Sequence, residues 1–83
     1  MKAVYFAWLR ERVGKAEETI APPAGLTTVA SLIDWMASLG EGYAHAFENP
    51  KLIRVAIDHA HVKHDASFVG AEEIAFFPPM TGG

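Results

Sequence analysis

A single amphipathic helix lies between two groups of strand-like segments, and this order is the strongest constraint on the fold. Five apolar residues recur at helical spacing and share one face: Val29, Leu32, Ile33, Met36 and Leu39. Thr27 or Thr28 can cap the start of this helix, and Gly40 is expected to end it. One such helix in a chain of 83 residues can cover one face of a small sheet, so the sequence predicts an α+β domain.

Five segments have the composition of β-strands: residues 2–9, 17–21, 53–57, 61–63 and 73–77. The first is apolar on both faces, which is typical of a central strand. We expect a turn at Gly14 and Lys15 to join it to the second strand as a hairpin. Tyr43 and Phe47 indicate a short second helical turn after the main helix. This order matches the β-grasp arrangement of ubiquitin, so we expect a mixed sheet packed on one main helix.

The alternation of apolar residues also predicts which side chains form the core. Eight residues are expected to be largely buried: Val4, Phe6, Leu32, Ile33, Met36, Val55, Ile57 and Ile74. Residues 1–77 are expected to form the β-grasp domain. Residues 78–83 are expected to form an extended tail, because Pro78 and Pro79 cannot donate hydrogen bonds to a sheet.

Composition argues against several classes of function. The chain has no cysteine, which excludes disulfides, thiolate metal sites and a thiol nucleophile. Its net charge of −3, without a strong basic cluster, argues against nucleic-acid binding. No apolar run reaches membrane-spanning length, so we expect a cytoplasmic protein with no membrane partner. His59, His61 and His64 are interpreted as surface residues of a hairpin, and no metal site is expected.

The last ten residues carry no side-chain charge and end in two glycines. The two prolines favour an extended chain. Gly82 and Gly83 lack a Cβ, so this end could enter a channel too narrow for a side chain. The reactive group at the end is the α-carboxylate of Gly83, which is therefore the candidate chemical group of the chain.

Four segments resemble the small, sulfur-carrier subunit of molybdopterin synthase, a family related to ubiquitin. They are residues 5–14 (YFAWLRERVG), the helix start at 28–36, the strand region at 51–58, and residues 73–83 (EIAFFPPMTGG). The last segment is similar to the family's ending nearly residue for residue. Asp58 stands where asparagine is commoner, and Ala71-Glu72-Glu73 replaces the usual Gly-Asp-Glu before the last strand.

The resemblance implies a chemical role for the tail. A partner enzyme of the E1 type would use ATP to adenylate Gly83, and a persulfide donor would then convert it to a thiocarboxylate. The tail, including Gly82 and Thr81, would enter the large synthase subunit and give sulfur to cyclic pyranopterin monophosphate. No cofactor would be bound by this chain itself, and the general acids would belong mainly to the large subunit.

The same resemblance implies a surface that binds the large subunit. Five residues are predicted to form it: Phe76, Phe77, Pro78, Pro79 and Met80. Neighbours on a strand point to opposite faces, so one of Phe76 and Phe77 is expected to face outward. The implied assembly is a heterotetramer of two small chains on a large-subunit dimer.

Two alternatives stay open at this point. The chain could carry sulfur in another pathway, such as thiamine synthesis, tRNA thiolation or cysteine synthesis. It could also be a ubiquitin-like binding or conjugation module without sulfur transfer. Thiamine carriers are generally shorter and lack the Phe-Phe-Pro-Pro approach, which disfavours that pathway.

Overall fold

The computed structural model describes residues 1–79, which form a mixed sheet covered on one face by helices. The elements in chain order are β1 (Lys2–Tyr5), α1 (Ala7–Val13), β2 (Glu17–Thr19), α2 (Val29–Ala37), α3 (Glu41–Ala46), a short 3-10 helix (Pro50–Leu52), β3 (Arg54–Ile57), β4 (Ala60–Val62) and β5 (Glu73–Phe77). The predicted α+β class and β-grasp arrangement are confirmed, with two short α-helices and one 3-10 helix besides the main helix.

The first and last strands pair at the centre of the sheet. The strand order is β2-β1-β5-β3-β4, and β1 runs parallel to β5, while every other neighbouring pair is antiparallel. Lys2 lies opposite Glu73 and Tyr5 opposite Phe76 in the parallel pair. The central position of β5 carries the chain out of the middle of the sheet after Phe77.

Helix α2 begins as the sequence predicts and ends earlier. The Thr28 side chain accepts a hydrogen bond from the Ser31 amide at 3.2 Å, and Ser31 Oγ accepts one from the Thr28 amide, which closes a capping box. The helix ends at Ala37 with Ser38 as its C-cap, so the prediction that Gly40 ends it is wrong. Gly40 instead precedes α3, the second helical turn predicted from Tyr43 and Phe47.

The predicted strand over residues 2–9 is wrong after residue 5, because Ala7–Val13 form helix α1. The Phe6 amide still donates to the Phe76 carbonyl at 3.1 Å, but the chain then leaves the sheet at Ala7, whose φ is 52°. Gly14 ends the helix in the left-handed conformation, with its amide bonded to the Arg10 carbonyl. Strands β1 and β2 still pair antiparallel, as the predicted hairpin requires, but helix α1 stands where the sequence predicts the rest of the first strand and a turn.

The core prediction holds for the helix, for Val55 and for Ile74, and fails for Val4, Phe6 and Ile57. Five of the predicted residues are buried: Leu32, Ile33, Met36, Val55 and Ile74. Val4 and Ile57 are half-buried, and Phe6 is exposed, which corrects their assignment. In β1 it is Ala3 and Tyr5 that point toward the helices. Both faces of β1 are apolar, so alternation along the sequence could not show which face is covered.

One carboxylate on β2 joins three parts of the fold. Glu18 Oε2 accepts hydrogen bonds at 2.7 Å from the hydroxyls of both Tyr5 and Tyr43. Its other oxygen lies 3.3 Å from Lys15 Nζ. Burial of Glu18 would raise the pKa of its carboxyl, but the hydrogen bonds from Tyr43, Tyr5 and Lys15 outweigh that effect and lower it. We call this group the Glu18 clasp; it fastens β2 to β1 and α3.

Helices α1 and α3 approach closely where α3 carries a glycine. A Cβ added to Gly42 would lie 2.6 Å from the Arg12 carbonyl oxygen. The Arg12 side chain crosses the same contact, because its Nη1 donates to the His45 carbonyl at 3.2 Å. The absence of a side chain at position 42 therefore allows the two helices to pack this closely.

Candidate functional site

Strand β5 sends its last two aromatic side chains to opposite faces of the sheet. Phe76 is fully buried, with its ring 6.0 Å from that of Tyr5 and 5.0 Å from that of Phe47. Phe77 is only half-buried and points away from the helices. The prediction that one of the two faces outward is thus confirmed, and the outward residue is Phe77.

Phe77 lies in an apolar surface on the side of the sheet that the helices leave uncovered. Its ring contacts those of Phe6 and His61, with centroids 6.5 Å and 5.2 Å away. A shallow concavity of about 670 Å³ lies here, and its lining includes Phe6, Ala56, Ala75, Phe77, Pro78 and Pro79. We call this surface the outer face. An exposed apolar surface with an aromatic residue at its centre is a candidate contact site for another molecule.

Charged residues flank the outer face unequally. On the β1–β2 side, Lys2 Nζ lies 3.0 Å from Glu17 and 3.8 Å from Glu73, and the hydrogen bond to Glu17 raises the pKa of Lys2. On the β3–β4 side, Arg54 lies opposite Phe77 in the sheet. The outer face therefore has two glutamates paired with one lysine where β1 and β5 begin, and the cationic residue Arg54 beside the end of β5.

Phe6 is a surface residue that the sequence analysis placed in the core. It is 49 % exposed because the chain turns at Ala7 and leaves the Phe6 ring beside Phe77 on the outer face. A positive φ at a residue other than glycine is uncommon and is held by its surroundings. Gly14 is the residue that could indicate this helix, since glycine often follows a helix C-terminus, but glycine fits a turn between two strands as well.

The predicted partner-binding residues are only partly described by the structure. Pro78 and Pro79 follow β5 directly and line the concavity beside Phe77. Met80 and the predicted tail residues Thr81, Gly82 and Gly83 lie outside the described residues. The assignment of chemistry to the Gly83 carboxylate and the division of the chain at residue 77 therefore stay predictions.

The three histidines of the β3–β4 region have separate environments. His59 is in the turn between the strands, with Nδ1 3.7 Å from Glu73. His61 contacts Phe77, and His64 Nε2 lies 2.8 Å from the Ile53 carbonyl oxygen. In residues 1–79 no three acidic or histidine side chains gather closely enough to hold a metal ion.

None of the helices described is long and apolar enough to cross a membrane.

The comparison with protein families decides the relationship of this chain to known proteins. Residues 3–83 match the ThiS family. The chain belongs to this family. The match includes all five strands except Lys2, the first residue of β1, and it extends to the end of the sequence.

Two relatives align with this ThiS-family chain from end to end, and their names confirm the resemblance seen in the sequence segments. It is 37 % identical to the molybdopterin synthase sulfur carrier subunit of Escherichia coli (strain K12), over 100 % of this chain and 99 % of that protein. The subunit of the same name from Haemophilus influenzae is 32 % identical with the same coverage. The crystal structure of SAMP1 from Haloferax volcanii superposes with a TM-score of 0.71 at 24 % identity, covering 100 % of this chain and 98 % of that one. This likeness supports the fold.

Proposed function

We propose that this ThiS-family chain is the sulfur-carrier subunit of a molybdopterin synthase and acts in the cytoplasm. Its two full-length relatives bear that name, at 37 % and 32 % identity. The structural observation that carries the proposal is the outer face around Phe77, from which the chain leads directly into Pro78 and Pro79. A docking surface from which the sequence leads on to two glycines is the arrangement that a carried reagent needs.

The proposed chemistry takes place at the Gly83 carboxylate. A carboxylate oxygen attacks the α-phosphorus of ATP on an E1-like activating enzyme, which releases pyrophosphate and leaves an acyl-adenylate. A persulfide sulfur then displaces AMP, and a thiol reduces the resulting S–S bond to free the thiocarboxylate. Gly82 and Thr81 form the approach to this group, and the small size of Gly82 lets it pass through a narrow channel.

The thiocarboxylate then serves as the sulfur source for cyclic pyranopterin monophosphate on the large subunit. Two transfers supply the two dithiolene sulfurs. In this division of labour, the chain contributes the sulfur and the docking surface. The large subunit contributes the general acids and the groups that bind phosphate, and the complex is a heterotetramer.

The test of the carrier function is the intact mass of the protein. After incubation with the activating enzyme, ATP and a sulfur donor, replacement of one oxygen by sulfur should add about 16 Da. Deletion of Gly83, or replacement of Gly82 by tryptophan, should abolish this gain without changing the unfolding temperature. Normal thiocarboxylate formation in either variant would disprove the proposed chemistry.

The test of the docking surface uses the residue that the structure identifies as outward. Phe77→Ala should weaken binding to the large subunit about 30-fold, which corresponds to about 2 kcal/mol for an aromatic anchor. Leu39→Ala is the matched control, because Leu39 is also exposed but follows α2 on the helical side of the molecule. Equal affinities of both variants and the wild type, measured by titration calorimetry, would exclude the outer face as the docking surface.

A further inference from the structure

Three cations at one corner of the sheet have no part in the chemistry proposed above. Lys51, Arg54 and Lys63 line a concavity of about 310 Å³ beside β4, with His64 in the same wall. All three are exposed. They are three of the seven lysines and arginines in a chain whose net charge is −3. We call them the corner cluster; its local charge is opposite to that of the molecule.

The corner cluster is not neutralised within the described part of the chain. Other cations form ion pairs with nearby carboxylates, namely Lys2, Arg12 and Lys15. Across residues 1–79, no ion pair involves a member of the corner cluster. His64 Nε2 donates its hydrogen to the Ile53 carbonyl at 2.8 Å, which holds the ring in the wall of the concavity. The cluster thus offers positive charge on a fixed part of the fold.

The corner cluster is continuous with the outer face. Arg54 lies directly opposite Phe77 in the β3–β5 pair, and residues opposite each other share a face of the sheet. Lys63 follows β4, the strand at this edge. A partner that covers Phe77 is therefore beside Arg54, whereas Glu17 and Glu73, which pair with Lys2, lie toward the start of β1 and β5.

We propose that the corner cluster receives an acidic segment of the large subunit when that subunit docks on the outer face. This inference rests on the docking role in the proposed function and adds the chemistry of the partner surface. The partner presents carboxylates beside its apolar contact, where they face Arg54 and its neighbours. Because Glu17 and Glu73 lie toward the start of β1 and β5, this pairing also sets the orientation in which the partner lands. The cluster raises the association rate constant, because exposed charges speed the approach of the partner more than they slow its dissociation.

The experiment measures association with the purified large subunit by stopped-flow fluorescence. At about 0.1 M salt, where the Debye length is about 10 Å, Arg54→Gln/Lys63→Gln should lower the association rate constant about 5- to 10-fold. The dissociation rate constant should change less than 2-fold. At about 0.5 M salt, screening should make the association rate constants of the double variant and the wild type nearly equal.

The matched control changes the net charge equally at the other end of the sheet. Ala24→Glu/Val69→Glu adds one negative charge in the loop between β2 and α2 and one in the loop between β4 and β5; both positions are exposed and line the same concavity. This control should associate at the wild-type rate at about 0.1 M salt. An equal reduction in both double variants would mean that net charge alone matters, and would overturn the proposal.

A second arm distinguishes an acidic segment from a small anion. Inorganic phosphate and ATP are titrated separately into the isotopically labelled protein, and the amide signals of residues 51–64 are followed. Saturable binding of either anion at this corner, with association of the double variant unchanged, would refute the acidic-segment proposal. If Phe77→Ala weakens docking while the corner variants associate normally, the outer face stands and only the corner cluster inference fails.

Discussion

The Glu18 clasp should make a contribution to stability far larger than that of an ordinary surface carboxylate. Its side chain is 19 % exposed and accepts two hydrogen bonds of 2.7 Å from tyrosine hydroxyls. A hydrogen bond to a charged group contributes about 1.5 to 3 kcal/mol, and removing the acceptor leaves the buried Tyr5 hydroxyl without a partner. Tyr43 is half-buried, so water can replace its acceptor. We therefore expect Glu18→Ala to lower the free energy of unfolding by about 2 to 3 kcal/mol.

The neighbouring residue provides a matched control. Glu17 lies on the opposite face of β2 and pairs with the exposed Lys2. Exposed ion pairs contribute about 0 to 1 kcal/mol, so Glu17→Ala should cost less than about 0.5 kcal/mol. Both variants are measured by urea unfolding at pH 7. Equal losses for the two, or a loss below about 0.5 kcal/mol for Glu18→Ala, would refute the reasoning.

The clasp also predicts how stability depends on pH. The pKa of Glu18 is below its ordinary value of 4.5 in the folded state, so its contribution is complete above that value and is lost as the pH falls through the lower folded pKa. Glu18→Gln keeps a hydrogen-bond acceptor that does not titrate. The difference in the free energy of unfolding between wild type and this variant should therefore shrink below about pH 4.5. Burial, and to a smaller extent the hydrogen bond to Glu18, raises the pKa of Tyr5 above its ordinary value of 10.0. The unfolded chain loses this proton at lower pH than the folded one, so the free energy of unfolding should fall as the pH rises above 10.0.

Two further substitutions test the packing. Gly42→Ala should destabilise by about 1 to 3 kcal/mol, because its Cβ would lie 2.6 Å from the Arg12 carbonyl oxygen. Helix propensity alone would make this variant about 1 kcal/mol more stable, so a gain in unfolding free energy would contradict the close helix contact. Leu32→Ala should cost about 2 to 5 kcal/mol on chemical denaturation, since Leu32 is fully buried. Leu52→Ala, at an exposed position, serves as its control. Similar losses of unfolding free energy for both variants would contradict the burial of Leu32 in the core.

The parts of the fold that the sequence predicts well have local signals that agree with each other. Strand β5 has the predicted bounds, Glu73–Phe77, because an apolar run ends at two prolines that cannot continue a ladder. Helix α2 combines a clear apolar face with a capping threonine. The predicted outward aromatic follows from strand geometry, and the structure adds that it is Phe77.

The parts that the sequence predicts poorly depend on contacts between distant residues. Helix α1 was missed because an apolar run on both faces fits a strand or a helix equally well. What ends β1 is its last bond to Phe76 and the turn at Ala7, and neither leaves a strong local signal. The Glu18 clasp was missed because its two tyrosines are 13 and 25 residues away along the chain. The predicted burial of Phe6 is wrong for the same reason, because β1 ends at Tyr5 and Phe6 lies on the surface.

The pairing of the first strand with the last has a consequence for how the molecule is made. During synthesis β1 emerges early, but its central partner, β5, is the last of the described elements to be completed. Contacts between distant parts of a chain slow folding, because the entropy of closing the long loop is lost before the contacts form. The outer face needs β5 between β1 and β3, so it is assembled only in this final step. A partner that recognises this surface therefore binds chains in which β5 has paired with β1 and β3, and does not bind chains in which this pairing has not yet formed.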